Sequence, residues 1–297
     1  MKMNYKIFIW ASLFLCFLVA CKNSSDNTTA NQMGPFALMM QDSVNIAYTV
    51  HGIKSDQSTL VFVHGWSCDQ TYWRKQVDHF KSDRQVVTID LAGHGTSDKG
   101  SRTNFSIDNF ARDVNQVIDH LALDDYILLG HSMGTMVVLT ASAKQNESLS
   151  GVVAVDYLFD TLRPMPEEEY QQVISPFEAD FFEVTKQFVY NGMFRQDADS
   201  LIREQVALDM ASDPKDVAIS AIASLLKTDF SDILSEVVAS DIPRFIINAD
   251  NNPTNKKYLS DGLGFEVNII PETNHFFMME KPDQTNSIIR QITESKR

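Results

Sequence analysis

The chain is short of cysteine, of positive charge and of long apolar runs. Its 297 residues hold three cysteines, Cys16, Cys21 and Cys68. The first two fall within or beside an apolar N-terminal stretch, so a globular domain keeps only Cys68 and forms no intrachain disulfide. Lys and Arg number 25 against 39 Asp and Glu, a formal charge of -14. Such a surface repels phosphate backbones, which excludes nucleic acid as a partner; its ordinary consequence is solubility. No cluster has metal-ligand spacing and no dinucleotide fingerprint is present, so no cofactor is expected. What remains, 44% apolar and 22% charged, is the composition of a globular protein with a substantial core.

The apolar stretch at residues 7–20 follows Lys2 and Lys6. It falls short of the ~20 residues of a transmembrane helix but fits the core of a secretory signal. It ends in Leu18-Val19-Ala20-Cys21, which resembles the lipobox of bacterial lipoproteins. That resemblance implies cleavage after residue 20, lipidation of Cys21 and export to a membrane-anchored position, periplasmic or at the cell surface. Loss of residues 1–20 takes Lys2 and Lys6 away and moves the charge to -16. Residues 21–34 are polar and read as a flexible tether, so the folded domain is expected over 35–297.

Within the domain, short apolar runs alternate with helical patterns, the sign of a mainly parallel sheet with crossover helices. Strands are expected at 36–40 and 44–50, joined by a turn at 41–43, and at 60–63, 86–89, 126–129, 152–155, 244–247 and 267–270. Most lack polar alternation, as strands covered on both faces do. Helices are expected at 70–80, 107–121, 133–144 and 283–294, with Ser106 capping the second. Residues 158–235 break the alternation: they carry helical patterns and no strand, and Phe177, Phe181, Phe182, Phe188 and Phe194 cluster there. An insertion this long reads as a lid over a pocket.

The chemistry centres on Gly130-His131-Ser132-Met133-Gly134, between a buried-strand pattern and an apolar helix. A strand-to-helix turn of this kind presents a serine nucleophile at a helix N-terminus, where backbone N–H groups favour developing negative charge. Ser132 needs a base, and His275 is the one histidine after it in sequence. For the orienting acid two residues end strands between them, Asp250 and Asp156; Asp250 is preferred and Asp156 is the alternative. The oxyanion donors are expected to be the backbone N–H of Met133 and of Trp66, with Gly65 allowing close approach and His64 buttressing its loop.

With these residues placed, the chain resembles the α/β-hydrolase fold superfamily, and within it the lid-bearing bacterial serine esterases. The matching motifs are VFVHGW at 61–66, DLAGHGTSD at 90–98, GHSMG at 130–134 and NHFFMMEKPDQ at 274–284. The resemblance implies an eight-stranded, mostly parallel sheet flanked by helices, with the helical lid inserted after the sixth strand. It also implies structural roles for Asp90 and His94 in the second motif. The run Asn248-Ala249-Asp250 departs by one place from the family's Gly-x-x-Asp, which keeps Asp156 open. The expected activity is hydrolysis of a small acyl substrate, a carboxylic ester first, through an acyl-enzyme on Ser132. An amide, lactone or carbon–carbon bond would suit the same residues. A membrane-tethered binding protein that has lost turnover is the alternative of another class.

Overall fold

The computed structural model describes residues 32–40, 42–144 and 148–294. The expected signal segment, Cys21 and all but the end of the tether lie outside the described residues. Eight strands form one sheet in the order β1-β2-β4-β3-β5-β6-β7-β8. In chain order these are β1 (Gln32–Met39), β2 (Asn45–His51), β3 (Thr59–Val63), β4 (Val86–Ile89), β5 (Tyr126–His131), β6 (Leu149–Val155), β7 (Arg244–Ala249) and β8 (Glu266–Ile270). β2 pairs antiparallel with both neighbours, and every other pairing is parallel. β1 starts at Gln32, four residues ahead of the strand expected from residue 36; on an edge strand the missing N–H of Pro35 costs no interior ladder bond.

The central strands are apolar because both faces are covered. Every residue of β3, β4 and β5 is buried. Helices α1 (Arg74–Phe80), α2 (Ile107–His120) and α3 (Met133–Ser142) cross between strands, and a 3-10 turn at Gln70–Trp73 precedes α1. α2 buries Ile107, Phe110, Ala111, Val114, Val117 and Ile118, one stripe at helical spacing, and its Ser106 cap accepts from the Asn109 N–H. All ten residues of α3 are buried, as expected of a helix that is apolar all round and wedged under its neighbours.

Between β6 and β7 the chain builds an insert of helices: α4 (Glu167–Ala179), α5 (Phe181–Phe188), α6 (Ser200–Ala211), α7 (Lys215–Lys227) and α8 (Ser231–Ala239). A single π-helical turn, Val189–Met193, extends α5. After β8 come α9 (Phe277–Glu280) and the closing α10 (Pro282–Glu294). Among the described residues no helix is long and apolar enough to cross a membrane.

Candidate active site

In a parallel sheet the loops that gather side chains leave the carboxyl ends of the strands. Four such ends converge here. β3 runs into His64-Gly65-Trp66, β5 into Ser132, β6 into Asp156, and the loop after β8 carries His275.

Ser132 has φ 53° and ψ -122°, a strained conformation for a residue with a side chain, and stands as the N-cap of α3. Its N–H donates to the Val155 carbonyl at 2.8 Å, tying the turn to β6. Thr135 adds a second tie, donating its hydroxyl to the Gly130 carbonyl at 2.8 Å and accepting from the Val155 N–H at 3.2 Å. The flanking glycines are steric necessities. A Cβ on Gly130 would collide with the Gly134 carbonyl, and one on Gly134 would sit 2.5 Å from the His64 carbonyl oxygen.

The histidine Nδ1 lies 2.7 Å from Oδ2 of Asp156, not of Asp250. Asp156 is fully buried, takes φ 53°, and accepts the Ala249 N–H on its other oxygen at 2.6 Å. Nδ1–H is therefore the donor to the carboxylate, which leaves Nε2 as the nitrogen that faces away from Asp156. Asp250, the acid preferred from sequence, is exposed and does not join this pair. Its Oδ1 accepts the Thr273 N–H at 3.3 Å, and the Glu272 backbone N–H holds its carboxyl below the usual range. Asp250 thus braces the loop that carries His275. The reason for the exchange is register: Val155 pairs with Ile247, so Asp156 is level with Asn248 and Asp250 lies two residues further out.

Met133 is fully buried at the start of α3, and Trp66 is buried on the opposite loop. The Trp66 ring donates Nε1–H to the Ala218 carbonyl at 2.8 Å, fastening this loop to α7. His64 accepts the Leu91 N–H on Nε2 at 2.9 Å, so its hydrogen is on Nδ1, 2.8 Å from the Gly65 carbonyl. Burial, reinforced by neighbouring His94, depresses its pKa to about 4 and keeps it neutral. Asp90 accepts from Thr96 within its own turn and from Gln70 in the 3-10 turn before α1, a structural use.

Sequence reasoning left His131 without a role. Its Nε2 lies 2.8 Å from the His275 carbonyl, a bond in which Nε2–H donates, and its ring centroid is 4.6 Å from that of His275. Burial holds its pKa well below the ordinary imidazole value, so it acts as a neutral prop. The insert reaches the same loop. The His275 N–H donates to the Met193 carbonyl at 3.3 Å, and Asn274 accepts from the Arg195 N–H while donating to both Glu280 oxygens at 3.0 Å. Non-local pairings of this kind leave no spacing signal in a sequence.

Ser132, Asp156 and His275 line one cavity of about 250 Å³. Trp66, Phe159, Phe188, Met193, Ile222, Leu225 and Leu226 make its wall apolar, and most of these belong to the insert. Tyr157, Asn251 and Asn252 supply the polar side. The Tyr157 phenol is held protonated by burial, which raises its pKa, and Asn251 Oδ1 is buried without a protein partner. A larger cavity of about 510 Å³ lies among His51, Arg74 and Thr88, away from the serine and histidine. Among the described residues no group of three or more His, Cys, Asp or Glu could hold a metal. Cys68 is a buried free thiol whose pKa burial pushes far up, so it is no competing nucleophile.

Comparison with known proteins agrees with this architecture. The hydrolase YugF of Bacillus subtilis, itself described as uncharacterized, is 30% identical over 121 residues, which span 41% of this chain and 44% of that protein. The karrikin insensitive 2 receptor CA of Petunia hybrida is 24% identical over 258 residues, 81% of this chain and 93% of its own length. Among solved structures, an esterase from Exiguobacterium antarcticum superposes with a TM-score of 0.75 at 18% identity, covering 88% of this chain and 99% of that one. A family model for the alpha/beta hydrolase fold matches residues 58–282, from the start of the parallel strands to α10, and the chain belongs to that family.

Proposed function

We propose that this protein is a serine hydrolase that cleaves a small carboxylic ester through an acyl-enzyme on Ser132. The observation that carries the reading is the Asp156–His275 hydrogen bond in the cavity that holds Ser132 on its strained turn. His275 Nε2 takes the Ser132 proton as Oγ attacks the carbonyl carbon. Asp156 fixes the ring tautomer and stabilises the imidazolium. The N–H groups of Met133 and Trp66 receive the oxyanion, with the α3 N-terminus adding its partial positive charge. The imidazolium then protonates the leaving alcohol, and water, deprotonated by His275, releases the acid.

A cavity of about 250 Å³ lies below the ~300–1,000 Å³ of pockets for drug-sized ligands, so the enclosed part of the substrate is small. The insert acts as a lid over it. At the N-terminus, Leu18-Val19-Ala20-Cys21 supports lipidation at Cys21 and an exported, membrane-anchored enzyme.

The likeness to a plant receptor favours a second reading, a ligand-binding protein without turnover. A fluorophosphonate probe separates the two. The enzyme is expected to be labelled in the wild type and unlabelled in Ser132→Ala. Absence of labelling on folded wild-type protein would favour the receptor-like reading.

A further inference from the structure

The cavity at Ser132 shares part of its wall with a second hollow. On the insert, between α4 and α5, lies a groove of about 510 Å³ whose apolar lining includes Val173, Pro176, Phe177 and Val184. Phe188 and Gly192 line both this groove and the catalytic cavity. The two spaces are therefore neighbours across a divider in which the Phe188 ring packs beside Trp66 and Phe177, whose own centroids are 5.7 Å apart.

Phe188 is built to be part of that divider. It ends α5 where the helix widens into the π-turn Val189–Met193, a local irregularity that re-aims side chains. On the cavity side its ring meets the edge of Trp66 at 6.5 Å, and on the groove side that of Phe177 at 5.8 Å. It is 44% exposed, although large apolar side chains at a packed junction are normally covered. Room to move comes from Gly192: a Cβ there would find only the Phe188 ring within 4 Å.

We propose that Phe188 sets the acyl-chain length this enzyme accepts, and that the groove between α4 and α5 holds the far end of a linear, uncharged acyl chain when the ring swings aside. With the ring in place, the chain is confined to the cavity of about 250 Å³. With the ring displaced, a straight apolar chain passes Gly192 into the groove. The inference rests on the reading of Ser132 as an acyl-transfer nucleophile.

The test is acid release from vinyl esters of two-, four-, eight- and ten-carbon acids, each below its solubility limit. The quantity read is the ratio of kcat/KM for the eight-carbon to the four-carbon ester. That ratio cancels the fraction of active protein, so a partly folded variant still reports. Phe188→Ala is expected to raise it about tenfold, Phe188→Trp to lower it, and Val184→Trp added to Phe188→Ala to reverse the gain. An unchanged ratio in both single variants overturns the gate and leaves the esterase reading intact. A gain that survives Val184→Trp overturns the groove as the place the chain goes. Absence of Ser132-dependent release from every ester overturns the esterase reading and this inference with it.

Discussion

Asp156 and Asp250 each follow the last residue of a strand, β6 and β7, and both lie between Ser132 and His275 in sequence. What separates them is the stagger between those strands. Val155 lies opposite Ile247, so Asp250 projects two residues, or about 7 Å, beyond the level of Asp156. Inter-strand register depends on contacts between residues almost a hundred positions apart, which a linear pattern does not record. The sequence therefore showed two acids and put Asp250 first, whereas the structure pairs His275 with Asp156; the serine turn, being local, was legible in five residues. Removing charge from each acid gives unequal outcomes. Asp156→Asn is expected to lower kcat/KM on a short ester by about 10³–10⁴, because His275 loses the partner that fixes its tautomer. Asp250→Asn should cost about tenfold or less, by slackening a loop. Equal losses in steady-state assays would contradict this division.

At the scale of elements, the insert and the loop after β8 are coupled. The π-turn end supplies the Met193 carbonyl to the His275 N–H, and Asn274 links the Arg195 N–H to Glu280. Glu280 is half-buried and burial raises its pKa, so its two bonds from Asn274 offset a real desolvation cost. Asn274→Ala strips that carboxyl of its donor, with a loss of about 1–3 kcal/mol. The expected signs are faster tryptic cleavage at Arg195 and kcat reduced about tenfold with KM little changed. Unaltered proteolysis together with unaltered kcat would remove the coupling. The presence of helices in this region was readable from the absence of any strand pattern. Their limits were not: α4 runs through Pro176, and the π-turn has no sequence signature of its own.

Across the whole molecule, stability depends on histidines buried in the neutral form. Burial holds His64 at about 4 and His131 well below the ordinary 6.5. Between pH 6.5 and 4 the unfolded chain binds more protons than the folded one, so unfolding free energy falls as pH falls. The slope is up to about 1.4 kcal/mol per pH unit for each group. Urea midpoints should therefore drop steadily from pH 7 to pH 5, and a flat profile would show that these rings are not buried neutral. The fold itself was legible because β3, β4 and β5 are covered on both faces and read as mostly apolar runs without polar alternation. The central claim is that this molecule turns over esters through Ser132, and a rapid acid quench during hydrolysis of a short ester, followed by peptide mass spectrometry, tests it most directly. The account predicts the substrate's acyl mass on the peptide containing Ser132 in the wild type and its absence in Ser132→Ala. Sustained hydrolysis by the wild type with no such adduct, or undiminished hydrolysis by Ser132→Ala, would contradict it.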